Sequence, residues 1–206
     1  MTEALTSEKH QCILDAAQQR FARYGLAKVT MDEIAQDLGM GKASLYYYFP
    51  TKESIYKEVI TREQNRFIEQ MAALLREPRP AGAKLRLYLE RRWVYLNELL
   101  NLSAINVHTI HQMKPLFGDL YQRFGQRERA LIQQILDEGR ETGEFAVADS
   151  CQTAAVILNM LRGLRFYYFK TTDALTVGSP EYQKLCADVA LMTEIILHGI
   201  TAPAQK

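Results

Sequence analysis

Three consecutive tyrosines, Tyr46, Tyr47 and Tyr48, close a short segment that begins with Lys42 and Ser44 and is bounded by Gly41 and Pro50. At helical spacing Leu45 turns to one side. Lys42, Ser44, Tyr46, Tyr47 and Tyr48 cover the rest of the surface. Three rings and little charge make an odd solvated face, but they suit a groove. Tyrosine hydroxyls bond phosphate oxygens or base edges, and the rings pack on sugars and thymine methyls. Lys42 opens this helix and Lys52 opens the next. Each adds to the partial positive charge of a helix N-terminus, where phosphates bind. Thr30, at another helix start, offers a hydroxyl and nearby backbone N–H groups.

Other chemistry finds no matching pattern. The chain carries no GxSxG, P-loop, HExxH or Rossmann glycine set, so no catalytic residue and no cofactor is expected and the chain does not read as an enzyme. Cys12, Cys151 and Cys186 are isolated and odd in number, without CxxC spacing. They suggest neither a disulfide frame nor a zinc site. His108 and His111 stand at i,i+3 on a helix, but no nearby Cys or carboxylate completes a tetrahedral set, so no metal is expected.

The elements that position the tyrosine segment are all helical. Pro50, Pro78, Pro80, Pro115, Pro180 and Pro203 fall between apolar-periodic stretches, and the spacing inside those stretches is three and four. About nine helices result, and no convincing strand appears. The first runs from about Ser7 to Tyr24, with Ile13, Ala17, Phe21 and Tyr24 on one face, and Gly25 stops it. Thr30 and Glu33 have capping-box spacing and open a second helix that buries Met31, Ile34, Ala35 and Leu38. Gly39-Met40-Gly41 is a tight turn, and Lys42 to Tyr48 is the third helix. Two short helices joined by a glycine turn make a helix-turn-helix. The competing reading of this segment alone is a helical hairpin of a bundle.

Thr51 caps a long fourth helix that carries Ile55, Val59, Phe67, Met71 and Leu74. The stretch Glu77-Pro78-Arg79-Pro80 breaks the chain. A fifth helix covers about Leu85 to Leu100 and a sixth about Leu102 to Met113. Lys114-Pro115 predicts another break before a seventh helix, about Leu120 to Arg140. Asp149 with Gln152 caps an eighth, Cys151 to about Lys170, and a ninth covers Glu181 to His198.

The 206 residues suit one large domain or two small ones at about 150 residues per domain. Lys and Arg number 25 and Asp and Glu 24, so any positive surface for nucleic acid must be local. No apolar run reaches the ~18 residues of a membrane span, and the first residues lack a secretion-signal layout. A cytoplasmic protein without a membrane partner is expected.

The segment resembles the TetR (tetracycline repressor-like) family of bacterial transcription regulators. The matching residues are Phe21-Ala22-Arg23-Tyr24-Gly25, Thr30-Met31-Asp32-Glu33-Ile34-Ala35, Leu38-Gly39-Met40-Gly41-Lys42-Ala43-Ser44-Leu45-Tyr46-Tyr47-Tyr48-Phe49-Pro50, and Lys52-Glu53. They cover about the first quarter of the chain. The resemblance implies an all-α fold: a three-helix helix-turn-helix domain over 1–53 and a helical bundle over 54–206 for ligand binding and dimerisation. It implies a homodimer on a pseudopalindromic DNA operator, most often a repressor that a small-molecule effector releases. Carried over by position, Lys42, Ala43, Ser44, Tyr46 and Tyr47 are the base-proximal set, and Thr30, Tyr48 and Lys52 match phosphate-contact positions. The near-zero charge of the N-terminal segment is a mild departure from the pattern.

The second domain has two expected jobs. The eighth and ninth helices are apolar most of the way round, which calls for partners on two sides. Deep burial in one subunit is the plain reading; a four-helix dimer interface is the sharper one, and the resemblance supports it. Between helices four to eight, an effector pocket draws on Trp93, Leu96, Phe117, Tyr121 and Phe124, with His108 and His111 as polar exceptions. An ordinary core is the competing reading. Arg162 and Arg165, on the eighth helix, read as interface ion pairs or exposed ends ahead of an anion site.

Overall fold

The computed structural model describes the backbone of residues 2–101, 107–171 and 179–203, and the side chains of residues 7–95, 117–168, 170–171 and 179–203. Among the described residues there are eight helices: α1 Thr2–Tyr24, α2 Met31–Asp37, α3 Lys42–Tyr48, α4 Lys52–Leu75, α5 Ala81–Asn101, α6 Val107–Glu141, α7 Ser150–Thr171 and α8 Pro180–Ile200. Extended pairing among them is limited to an isolated bridge between Phe145 and Thr201.

Local chemistry sets most of the helix ends. Gly25 leaves α1 with φ +76°, and its N–H donates to the Phe21 carbonyl. The Thr30 hydroxyl accepts from the Glu33 N–H while the Glu33 carboxylate accepts from the Thr30 N–H, which closes the expected capping box. Thr51 accepts from the Ser54 N–H at the head of α4, and Asp149 from the Gln152 N–H at the head of α7. Ser179 caps α8 through the Tyr182 N–H.

One expected break is corrected. Lys114-Pro115 does not separate two helices, because both residues lie inside the 35-residue α6. The sixth and seventh helices of the sequence reading are therefore one, and the eighth and ninth become α7 and α8. A proline removes one N–H from the ladder without forbidding the turns on either side. Residues 102–106, where the sixth helix was expected to start, lie outside the described residues.

By its packing the chain divides into two units, Met1–Asn65 with Asn97–Phe117, and Arg66–Leu96 with Gly118–Lys206. In the first unit Ile13, Ala17 and Phe21 of α1, Ile34 of α2, Leu45 of α3 and Ile55 and Tyr56 of α4 are buried. The Phe21 ring meets Tyr56 edge-on at 5.3 Å. Burying one such aromatic side chain stabilises the fold by about 1.5–3 kcal/mol.

In the second unit Leu85, Leu89, Ile132, Leu136, Ile157 and Leu161 lie in one apolar core drawn from α4 to α8. The Glu144 carboxylate accepts from the Ala81 and Gly82 N–H groups at 2.7 and 2.8 Å, so the turn after α6 caps α5. Lys84 is buried and donates to both Glu138 oxygens.

Candidate nucleic-acid interface

The turn between α2 and α3 depends on Gly39, which adopts φ +60°; a β-carbon there would meet no neighbour, so the backbone angle alone calls for glycine. The Gly39 N–H donates to the Gln36 carbonyl and the Met40 N–H to that of Ala35, which ends α2 and redirects the chain. α3 then starts at Gly41 with no side-chain cap. Leu45 is fully buried with Ile34, and Leu38 is half-buried. This anchoring fixes the rotation of α3 about its own axis.

With Leu45 inside, Lys42, Ala43, Ser44, Tyr46 and Tyr47 are exposed. Tyr47 is 84% exposed and Tyr46 43%. Tyr48 is half-buried, with its ring edge-on to Tyr47 at 5.4 Å. Thr30 is exposed at the start of α2. The expected reading face is therefore displayed on one short helix.

Two cations behave differently from each other. The Lys42 ammonium pairs with Asp32 at 2.7 Å and lies 6.0 Å from the Tyr46 ring centroid. The hydrogen bond to Asp32, and the charge behind it, raise the Lys42 pKa. Both partners remain open to solvent, so this charge stays at the surface. Lys52 instead turns its ammonium onto the loop after α1, donating to the Leu26, Ala27 and Val29 carbonyls at 2.9, 3.3 and 2.8 Å. Those bonds match the three donors of an ammonium group.

Arg20, on α1, went unnoticed in the sequence. It donates to both Asp37 oxygens at 2.5 and 2.6 Å and lies 3.2 Å from Glu33. Its hydrogen bond holds the Asp37 carboxyl below the usual range. Glu33 is lowered first by its bonds from Thr30 and then by the Arg20 charge. A planar fork on a carboxylate fixes direction as well as distance, so α1 sets where α2 lies. Partners 17 residues apart leave no spacing signal.

The expected effector residues fall into separate surroundings. Phe117 is buried in the first unit, 5.4 Å from Tyr56. In the second unit Phe124 packs on Phe67 and Tyr95, whereas Trp93 shares a different cluster with Tyr168, Leu185 and Val189. Tyr121 is half-buried, and burial raises its pKa. The side chains of Leu96, His108 and His111 lie outside the described residues. Among the described residues no group of three His, Cys, Asp or Glu is placed to hold a metal, and no helix is long and apolar enough to cross a membrane.

The profile of the family described as "Bacterial regulatory proteins, tetR family" matches residues 13–59, which span α1 to the start of α4. The crystal structure of a transcriptional regulator from Cytophaga hutchinsonii superposes with a TM-score of 0.86 at 36% identity, over 94% of this chain and 99% of that one. The chain belongs to the TetR family of bacterial transcription regulators. RutR of Escherichia coli K12, an HTH-type transcriptional regulator, is 32% identical over 65% of this chain and 65% of its own length. The fatty acid metabolism regulator protein of Bacillus subtilis is 27% identical over 66% of this chain and 71% of its own. The chain is thus a helix-turn-helix transcriptional regulator, and TetR-family regulators are mostly repressors that bind operator DNA as dimers and leave it on ligand binding.

Proposed function

We propose that this TetR-family chain is a cytoplasmic repressor whose α3 enters the major groove of one half-site of a pseudopalindromic operator. Lys42, Ala43, Ser44, Tyr46 and Tyr47 meet the bases, and Thr30 and Tyr48 meet phosphates. Residues 1–53 carry this contact, and 54–206 carry dimerisation and effector binding. Lys52 acts through the loop its ammonium holds. The carrying observation is the outward face of α3, set by the buried Leu45. The role is DNA binding and not catalysis.

The second copy docks on α7 and α8. One side of each helix supplies core, through Ile157, Leu158 and Leu161 and through Leu185, Val189 and Ile196. The other side of each leaves Val156, Met160, Phe166 and Tyr167, and Leu191 and Ile195, open to solvent. Apolar surface of that extent marks an interaction site, and a twofold pairing sets two recognition helices at one spacing.

The effector then acts through its preference for the conformation that does not bind DNA, since a ligand shifts an equilibrium only by its differential affinity. α4 is the continuous element between the half of the chain at the operator and the half that binds ligand.

The test is selection of bound duplexes from a random-sequence pool, followed by titration at fixed salt. A pseudopalindrome is expected to emerge. Tyr46→Ala should weaken binding to it by about tenfold or more, because a base contact is worth about 1–3 kcal/mol. Failure to enrich any sequence, or unchanged affinity for Tyr46→Ala and Tyr47→Ala, retires the assignment.

A further inference from the structure

The second unit buries an arginine that its carboxylate partner only partly satisfies. Arg92 on α5 and Glu128 on α6 are 2% and 1% exposed. Arg92 Nε donates to Glu128 Oε1 at 2.5 Å and Nη2 to Oε2 at 3.2 Å, and the Tyr88 hydroxyl donates to the same carboxylate at 3.2 Å. That fork uses one edge of the guanidinium. Arg92 Nη1, at the other end, is buried without a hydrogen-bond partner. A buried donor left unmade costs about 1–3 kcal/mol, and more on a charged group.

A second guanidinium acts at the same place. Arg165 on α7 is half-buried, and its pKa is brought down to about 10, first by loss of solvent and then by repulsion from Arg92. Tyr121 and Glu128 pull the other way, and Arg162 adds further repulsion. Arg162 lies against α6 where Gly125 leaves room, since a β-carbon at Gly125 would overlap its guanidinium. Arg165 thus feels both the Arg92 guanidinium and the Glu128 carboxylate.

Apolar surface adjoins the charge. Tyr88 touches both sets: its hydroxyl reaches Glu128, and its ring lies 6.1 Å from Phe67. Phe67 stacks on Tyr95 at 4.4 Å, and both rings lie 5.9 Å from Phe124. Tyr95 is three residues from Arg92 on α5, and Phe124 is four from Glu128 on α6, so each helix places a ring one turn from its charge.

The geometry points to an anion site: the effector of this regulator is an organic carboxylate with an apolar body, its charge taken by the open end of Arg92 and by Arg165, its body lying toward Phe67, Tyr95 and Phe124. A planar carboxylate matches the free fork of a guanidinium. This rests on the reading that the second unit takes an effector.

Calorimetric titration of the full chain with two matched pairs tests it: 2-naphthoate against 2-naphthamide, and decanoate against decanamide. At least one carboxylate should bind about tenfold or more tightly than its amide, and the pair that shows the preference tells an aromatic body from an aliphatic one. Arg165→Met should abolish the preference and Arg165→Lys retain most of it. A double replacement, Arg92→Met with Glu128→Met, removes the buried pair without stranding either charge, and such swaps are tolerated in many cores. It should stay helical by circular dichroism and lose the preference. Binding of no member, equal binding within both pairs, or a preference that survives Arg165→Met and the double replacement overturns the anion site. Operator binding is measured on the same samples without acid. An intact operator complex with no carboxylate preference retires the anion site alone; carboxylate binding by a chain that enriches no DNA retires the regulator reading alone.

Discussion

The Lys52 ammonium lies 2.8 Å from the Val29 carbonyl oxygen, and Val29 is the residue before the Thr30 cap of α2. The first residue of α4 therefore holds the loop that delivers α2. Replacing it with Met should weaken operator binding and lower stability by about 1–2 kcal/mol, since hydrogen bonds from a charged donor contribute about that much when partly exposed. The slope of log affinity against log salt should match wild type. A slope reduced by about 0.9 would instead assign a phosphate contact to Lys52.

Asp32 holds the Lys42 ammonium at the edge of the reading face. Asp32→Asn keeps the shape and removes the charge. The freed ammonium adds a net positive charge inside the groove, so operator affinity should rise and the salt slope steepen by up to about one unit. Titrations at four salt concentrations check this; an unchanged slope with unchanged affinity shows that Lys42 lies away from the DNA.

Acid should loosen the helix-turn-helix in a way that names its carboxylates. Glu33 and Asp37 both have folded pKa values below the ordinary ones, Glu33 mainly through Thr30 and Asp37 mainly through Arg20. Each contributes stability that is fully present above the unfolded pKa, about 4, and is lost as pH falls through the lower folded value. Arg20→Met should flatten the acid limb of a stability–pH curve through Asp37, and Thr30→Val through Glu33. A limb of unchanged steepness in both variants counts against these pairings.

Leu191 and Ile195 stand 61% and 60% exposed on one side of α8. Glutamate at both positions should leave the helical content intact and convert the protein to monomer in sedimentation velocity. Operator affinity should fall steeply, because two linked half-sites bind far more tightly than one. A dimer that survives the double change places the twofold contact elsewhere.

The order of the first four helices could be read from residues alone because its determinants are local. Thr30 and Glu33 are three residues apart, Gly39 needs only its own backbone angle, and Leu45 is assigned to the inside by its place on a seven-residue helix. The same periodicity showed that α7 and α8 are apolar on more than one side. It could not show which side lies open, since that depends on which rows of side chains the rest of the bundle covers.

Sequence by itself determined the helical class, the capped helix-turn-helix and the identity of the outward-facing residues on α3. Each follows from contacts within a few residues, where side-chain spacing and backbone angle act directly. Tertiary structure alone decided that Lys52 turns to the Val29 loop, that Arg20 orients α2 through Asp37, that α6 continues through Pro115, and that Arg92 and Arg165 gather beside one Glu128 carboxylate. The residues in these pairings lie on different elements of the fold, 17 to 73 positions apart. Charge at such separations finds its partner only after packing has removed water and fixed the distance.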